Sequence, residues 1–193
     1  MNFITQVITQ QLAGGASRAI AQRLGISEAT ANTAVQVAVP LILAALARNA
    51  SQPQRAESLH QAINKDHDGS IFDNLMGHVQ NPQSADGAGI LGHVFGSQQP
   101  AIENSLAQAT GMDQGSASGL LETLAPLVMG AVGQAQQSEG LDASGLSNLL
   151  NNQQEQAQTN APNAMSVLSS ILDQNKDGSS MDDLQRMAAN FFK

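Results

Sequence analysis

Two distant stretches of this chain read alike without a gap. Ala19-Ile-Ala-Gln-Arg-Leu-Gly25-Ile-Ser27 matches Ser105-Leu-Ala-Gln-Ala-Thr-Gly111-Met-Asp113. Val35-Gln-Val-Ala-Val-Pro40-Leu-Ile-Leu matches Leu121-Glu-Thr-Leu-Ala-Pro126-Leu-Val-Met. Gly25 falls on Gly111 and Pro40 on Pro126. An internal repeat restricts the fold strongly, because both copies must be the same supersecondary unit. Here that unit is a helix, a glycine stop, a capped start and a long apolar helix carrying proline.

The apolar set makes that unit helical. Ala, Leu, Val and Ile dominate, and Phe3, Phe72, Phe95, Phe191 and Phe192 are the only aromatic residues. Ala and Leu favour helix, whereas strands lean on β-branched and aromatic residues. The expectation is an all-α, internally duplicated helical bundle. Ser27 reads as the N-cap of the central helix of the first copy. Pro40 either kinks that helix or starts a new one.

The repeat resumes after an insertion, where the segment 63–75 matches 172–184. Asp173-x-Asn175-x-Asp177-Gly178-Ser179 opens like an EF-hand loop, with oxygen-bearing side chains at positions one, three and five and glycine at six. Asp182 and Asp183 follow. The first copy offers Asn64, Asp66, Asp68, Ser70 and Asp73 in the same spacing. Leu75 and Leu184 stand where an EF-hand carries its closing glutamate, so weak Ca²⁺ binding is the expectation. A competing reading is a pair of capped turns, since Ser70-x-x-Asp73 and Ser179-x-x-Asp182 resemble capping boxes. The expected layout is a first repeat over 1–80, a linker over 81–97 and a second repeat over 98–193, packed as one unit.

Charge narrows the function. The net charge is −8, which disfavours nucleic acid and anionic membranes as general partners. One stretch, 18–35, has the form of a helix-turn-helix, and DNA binding through it is the alternative function. Arg18 and Arg23 could meet phosphates there, but the second helix carries Glu28, Ala29, Thr30, Ala31, Asn32 and Thr33, with no basic residue. The apolar run Ala34–Ala47 is shorter than the roughly 20 residues that span a bilayer. No signal peptide is read at the N-terminus, and a cytoplasmic location is expected.

No catalytic constellation is evident. Cysteine is absent. His60, His67, His78 and His93 show no zinc spacing. Gly87-x-Gly89 and Gly92-x-x-x-Gly96 follow no strand and precede no Gly-Lys-Ser/Thr. The expected function is a non-enzymatic binding or scaffold protein, acting on an unidentified protein partner or on itself, with Ca²⁺ as its cofactor.

Three segments carry a family resemblance. They are Val39-Pro40-Leu-Ile-Leu-Ala-Ala-Leu-Ala-Arg48-Asn49, Asp66-His-Asp68-Gly69-Ser70, and Asp86-Gly-Ala-Gly-Ile-Leu-Gly-His93-Val-Phe-Gly96. Together they resemble the bacterial family catalogued as domain of unknown function 937, over about Asn2 to Phe192. The Leu-Gly-Ile-Ser and Pro-Leu segments are more faintly similar to YidB-like bacterial proteins. The resemblance implies a bacterial protein and supplies no activity.

Overall fold

The computed structural model describes residues 3–12 and 15–160, and the statements below refer to those. They form nine α-helices: α1 (Phe3–Leu12), α2 (Ala16–Leu24), α3 (Glu28–Ala50), α4 (Pro53–Asp66), α5 (Leu75–Gln80), α6 (Gly87–Phe95), α7 (Gln99–Thr110), α8 (Gln114–Glu139) and α9 (Ala143–Asn160). Short 3-10 turns lie at Ser70–Asn74, Pro82–Ala85 and Gly96–Gln98. The fold is all-helical, with no strand among the described residues.

α3 and α8 are the two axles of the bundle. α3 packs on α2, α4, α6, α7, α8 and α9, and α8 on α1, α2, α4, α6 and α7. Their starts are built alike. Gly25 ends α2 at φ 67° and Gly111 ends α7 at φ 72°, the left-handed conformation that glycine adopts without strain. Ser27 then accepts the Thr30 amide at 3.0 Å, and Asp113 accepts the Ser116 amide at 3.0 Å. Both caps satisfy amides that the first helical turn leaves unbonded.

Both prolines lie inside unbroken helices. α3 therefore continues through Pro40, and no new helix starts there. Each proline withholds the N–H that the fourth carbonyl back would accept. For Pro40 that carbonyl belongs to Gln36, an exposed residue that water reaches. For Pro126 it belongs to Glu122, and Gly87 at the start of α6 lies directly against it. A Cβ at Gly87 would come within 1.9 Å of the Glu122 oxygen, so no larger residue fits that approach.

The core is aliphatic and rich in alanine. Ile42, Leu43, Leu120, Leu121, Leu124, Leu127 and Val128 are fully buried. Each buried aliphatic side chain of this size contributes about 1.5–3 kcal/mol, and alanines such as Ala38 and Ala125 let the helix axes approach closely. α3 has 23 residues and α8 26, so each is long and apolar enough by composition to cross a bilayer. Most of each apolar window is buried against neighbouring helices, 72% and 78% respectively. These are core helices.

Residues 81–97 are largely ordered into helix. Leu91, Val94 and Phe95 of α6 are buried, and α6 packs on α8, α3 and α7. The Gln- and Asn-rich piece 151–160 completes α9, which packs on α3 and α4.

Candidate functional site

The first Asp loop is shorter than its ligand spacing implies. α4 continues through Asn64, Lys65 and Asp66 and ends at His67. Only His67 to Gly69 turn, with Gly69 at φ 96°, before the 3-10 turn begins at Ser70. The first three positions of the supposed EF-hand loop are therefore helical, and they do not wrap a central point. Two of the candidate ligand oxygens are also engaged elsewhere. The Asn64 Oδ1 accepts from Gln136 Nε2 at 2.7 Å, and the Asp68 Oδ1 accepts the Ser70 amide at 2.9 Å. Among the described residues no three His, Asp or Glu side chains converge as metal ligands would. The turn is closed by Asp68 on the Ser70 amide, and the Ser70-x-x-Asp73 capping box does not form, since neither the 3-10 turn nor α5 has a side-chain cap.

What fixes the turn is its seat on α8. The His67 carbonyl lies over Gly133, and Gly69 and Ile71 lie over Gly130. A Cβ at Gly133 would fall 1.9 Å from that carbonyl oxygen, and one at Gly130 would fall 2.8 Å from Ile71 Cγ2. Two glycines spaced one helical turn apart thus make a groove in α8 for backbone.

The docked turn forms one wall of a cleft of about 450 Å³. Asp66, His67, Asp68 and Ser70 line it from the turn, Ala85, Asp86 and Ile90 from the stretch that starts α6, and Pro126 from α8. Three carboxylates thus border one space, and no Lys or Arg lines it. Hydrogen bonds from the Ser70 hydroxyl and amide hold the Asp68 carboxyl below its ordinary range, so it stays ionised well into acid. Burial pushes the His67 imidazole below its usual value, against the opposing pull of Asp66 and Asp68.

Asp86 was not among the candidate ligands read from sequence. It sits at φ 46°, ψ 43°, and its Oδ1 caps α6 by accepting the Gly89 amide at 3.2 Å. The readable signal was an aspartate just before Gly-Ala-Gly and an apolar run, which is an N-cap pattern. Asp73 is exposed and is not one of the cleft residues. Asp173, Asn175, Asp177, Ser179, Asp182 and Asp183, with their flanking helices, lie outside the described residues.

The helix-turn-helix stretch is occupied by the protein itself. Arg18 Nε pairs with Glu28 at 3.3 Å. Arg23 Nη2 donates to the Thr123 hydroxyl and, at 3.2 Å, to the Gly119 carbonyl of α8. Ser116 Oγ donates to the Leu24 carbonyl at 3.2 Å. α3 then runs into the core, so the helix that would read bases is the axle of the bundle.

An all-helical bundle on two proline-bearing axles, with an acidic cleft beside the second, defines the class of this protein. The chain belongs to a bacterial family described as bacterial protein of unknown function, DUF937, whose profile matches residues 6–135. That match ends within α8, short of the span over which the resemblance was read. The likeness to YidB-like proteins remains a resemblance alone. No curated protein and no solved structure matches the chain.

Proposed function

We propose that this protein is a non-enzymatic binding or scaffold module, descended from an internal duplication, and that the cleft between α4 and α6 receives a cation. The observation that carries this reading is the bordering of one 450 Å³ space by Asp66, Asp68 and Asp86, with no Lys or Arg lining it. A carboxylate held ionised, as Asp68 is, suits charge attraction better than proton transfer. Ca²⁺ is the first cation to try, because it accepts irregular oxygen ligands and several waters. With no convergent set of three acids, binding belongs at the weak end of the range, about 10⁻⁴–10⁻³ M.

The duplication is supported by the paired left-handed glycines, the paired caps and the paired internal prolines. It carries the same expectation to the Asp173–Asp183 segment. DNA binding through 18–35 is the weaker reading, since both arginines there already have protein partners.

Calorimetric titration of Ca²⁺ into chelator-stripped full-length protein, with Mg²⁺ as control, tests the reading. Asp66→Asn and Asp86→Asn keep the side-chain shape and remove charge, and each is expected to weaken binding several-fold. Asp177→Ala separates the contribution of the second loop. Heat that is absent for both ions, with no thermal shift, would reduce the first loop to a capped turn. The helical scaffold would then stand without its cation.

A further inference from the structure

We propose that α5 is an acid-released latch, held shut by the neutral imidazole of His78 and undocked from α2 and α8 when that ring takes a second proton. His78 is 5% exposed. Its Nε2 lies 2.9 Å from the Thr123 carbonyl, so Nε2 carries the hydrogen and donates. Its Nδ1 is buried with no hydrogen-bond partner. A proton added at Nδ1 would be a buried donor with no acceptor, on a ring that has become a cation.

The surroundings make that cation unwelcome. α5 packs on α2 and on the 3-10 turns at Ser70–Asn74 and Pro82–Ala85, and it is bonded to α8 through Thr123. The charged residues on these elements are Arg18 and Arg23 on α2, Asp73 on the first turn, and Glu122 and Glu139 on α8; Asp86 follows the second turn. Arg23 is the one whose charge acts on the ring, and it repels a positive imidazole. Glu122 acts on Arg23 instead. Burial first, then Arg23, pushes His78 below its usual 6.5, against the Thr123 bond.

The direction of the pH effect follows. A histidine whose folded pKa is lowered stabilises the closed state fully above its open-state value of 6.5, and that stability is lost as pH falls through the folded value. Between those two values the opening constant rises about tenfold per pH unit. α5 has six residues, so it can release locally without melting the axles. It joins the docked turn to the stretch that ends in the Asp86 cap, so its release loosens both walls of the cleft. The latch stands whether or not the cleft holds a cation.

Hydrogen exchange of the intact chain from pH 8 to pH 5, corrected for the intrinsic pH dependence of exchange, tests the latch. NMR titration of the four imidazoles accompanies it. The expected result is His78 titrating below 6.5, with acid-driven opening confined to 75–80 and its flanking turns while α8 stays protected. His78→Gln should keep a donor to Thr123 and lose the acid response. Arg23→Gln, which leaves the ring in place, should raise the His78 pKa and narrow the pH window of opening. His78 titrating at or above 6.5, or equal protection of 75–80 at pH 8 and pH 5, would overturn the proposal. So would a His78→Gln protein that opens in acid as the parent does, or an unmoved His78 pKa in Arg23→Gln.

Discussion

Gly133→Ala is expected to lower the unfolding free energy by about 2–3 kcal/mol, even though alanine is the better helix former by about 1 kcal/mol. The added methyl would lie 1.9 Å from the His67 carbonyl oxygen. A backbone oxygen cannot rotate away as a side-chain tip can, so the turn must lift off α8. Lifting it takes Gly69 and Ile71 out of their seat on Gly130 and strips one wall from the cleft. Gly92→Ala is the control. It lies within α6, no atom comes within 4 Å of its built Cβ, and the residue is exposed. That change should stabilise by about 0.5–1 kcal/mol. Opposite signs for two Gly→Ala changes in helices, measured by urea unfolding, would establish the docking of the turn. Equal and favourable effects would remove it.

Ile42→Ala in α3 should cost about 2–5 kcal/mol, through lost burial and the cavity left behind. Ile42 is fully buried among helices from both halves of the chain. A domain of this size holds only about 5–15 kcal/mol in total, so this variant approaches the limit of folding. Val128 takes the corresponding place in α8 when Pro40 is set on Pro126, and Val128→Ala should cost somewhat less, about 2 kcal/mol, because less volume is removed. α3 packs directly on α8 and α9, so both variants should unfold in one transition at a lower denaturant midpoint. Two separated transitions, with only one moved by each variant, would mean that the halves fold independently.

The legible parts of the fold were those set by local chemistry. Gly25, Ser27, Gly111 and Asp113 stop and start helices through their own backbones and side chains, and the structure places each in that role. The apolar run Ala34–Ala47, interrupted by Gln36 and Pro40, reads as core, and α3 is buried over most of it. The Asp spacing at 64–70 misled because spacing counts residues and not conformation. α4 runs on through Asp66, with Ile63 buried beneath it and the Asn64 carbonyl oxygen taken by Gln136 of α8. No local signal announces a partner that distant in sequence. The same holds for Gly130 and Gly133, whose role as the seat of the turn depends on His67, Gly69 and Ile71, distant in sequence. Asp86 lay in a polar Gly- and Pro-bearing stretch that reads as linker, although the capping pattern was present. His78 could not be told from the other histidines until burial and the Thr123 carbonyl were seen.

The proposed cation site is the cleft walled by the docked turn and the start of α6. Its most direct test is a ¹⁵N-correlated NMR titration of the full chain with Ca²⁺ up to several times the expected millimolar dissociation constant, at constant ionic strength. Saturable shifts are expected at the amides of Asp66 to Ile71 and Asp86 to Gly89, with the amides around the exposed Glu57 unmoved. Shifts spread evenly over all acidic surface residues, or none at the cleft, would contradict it.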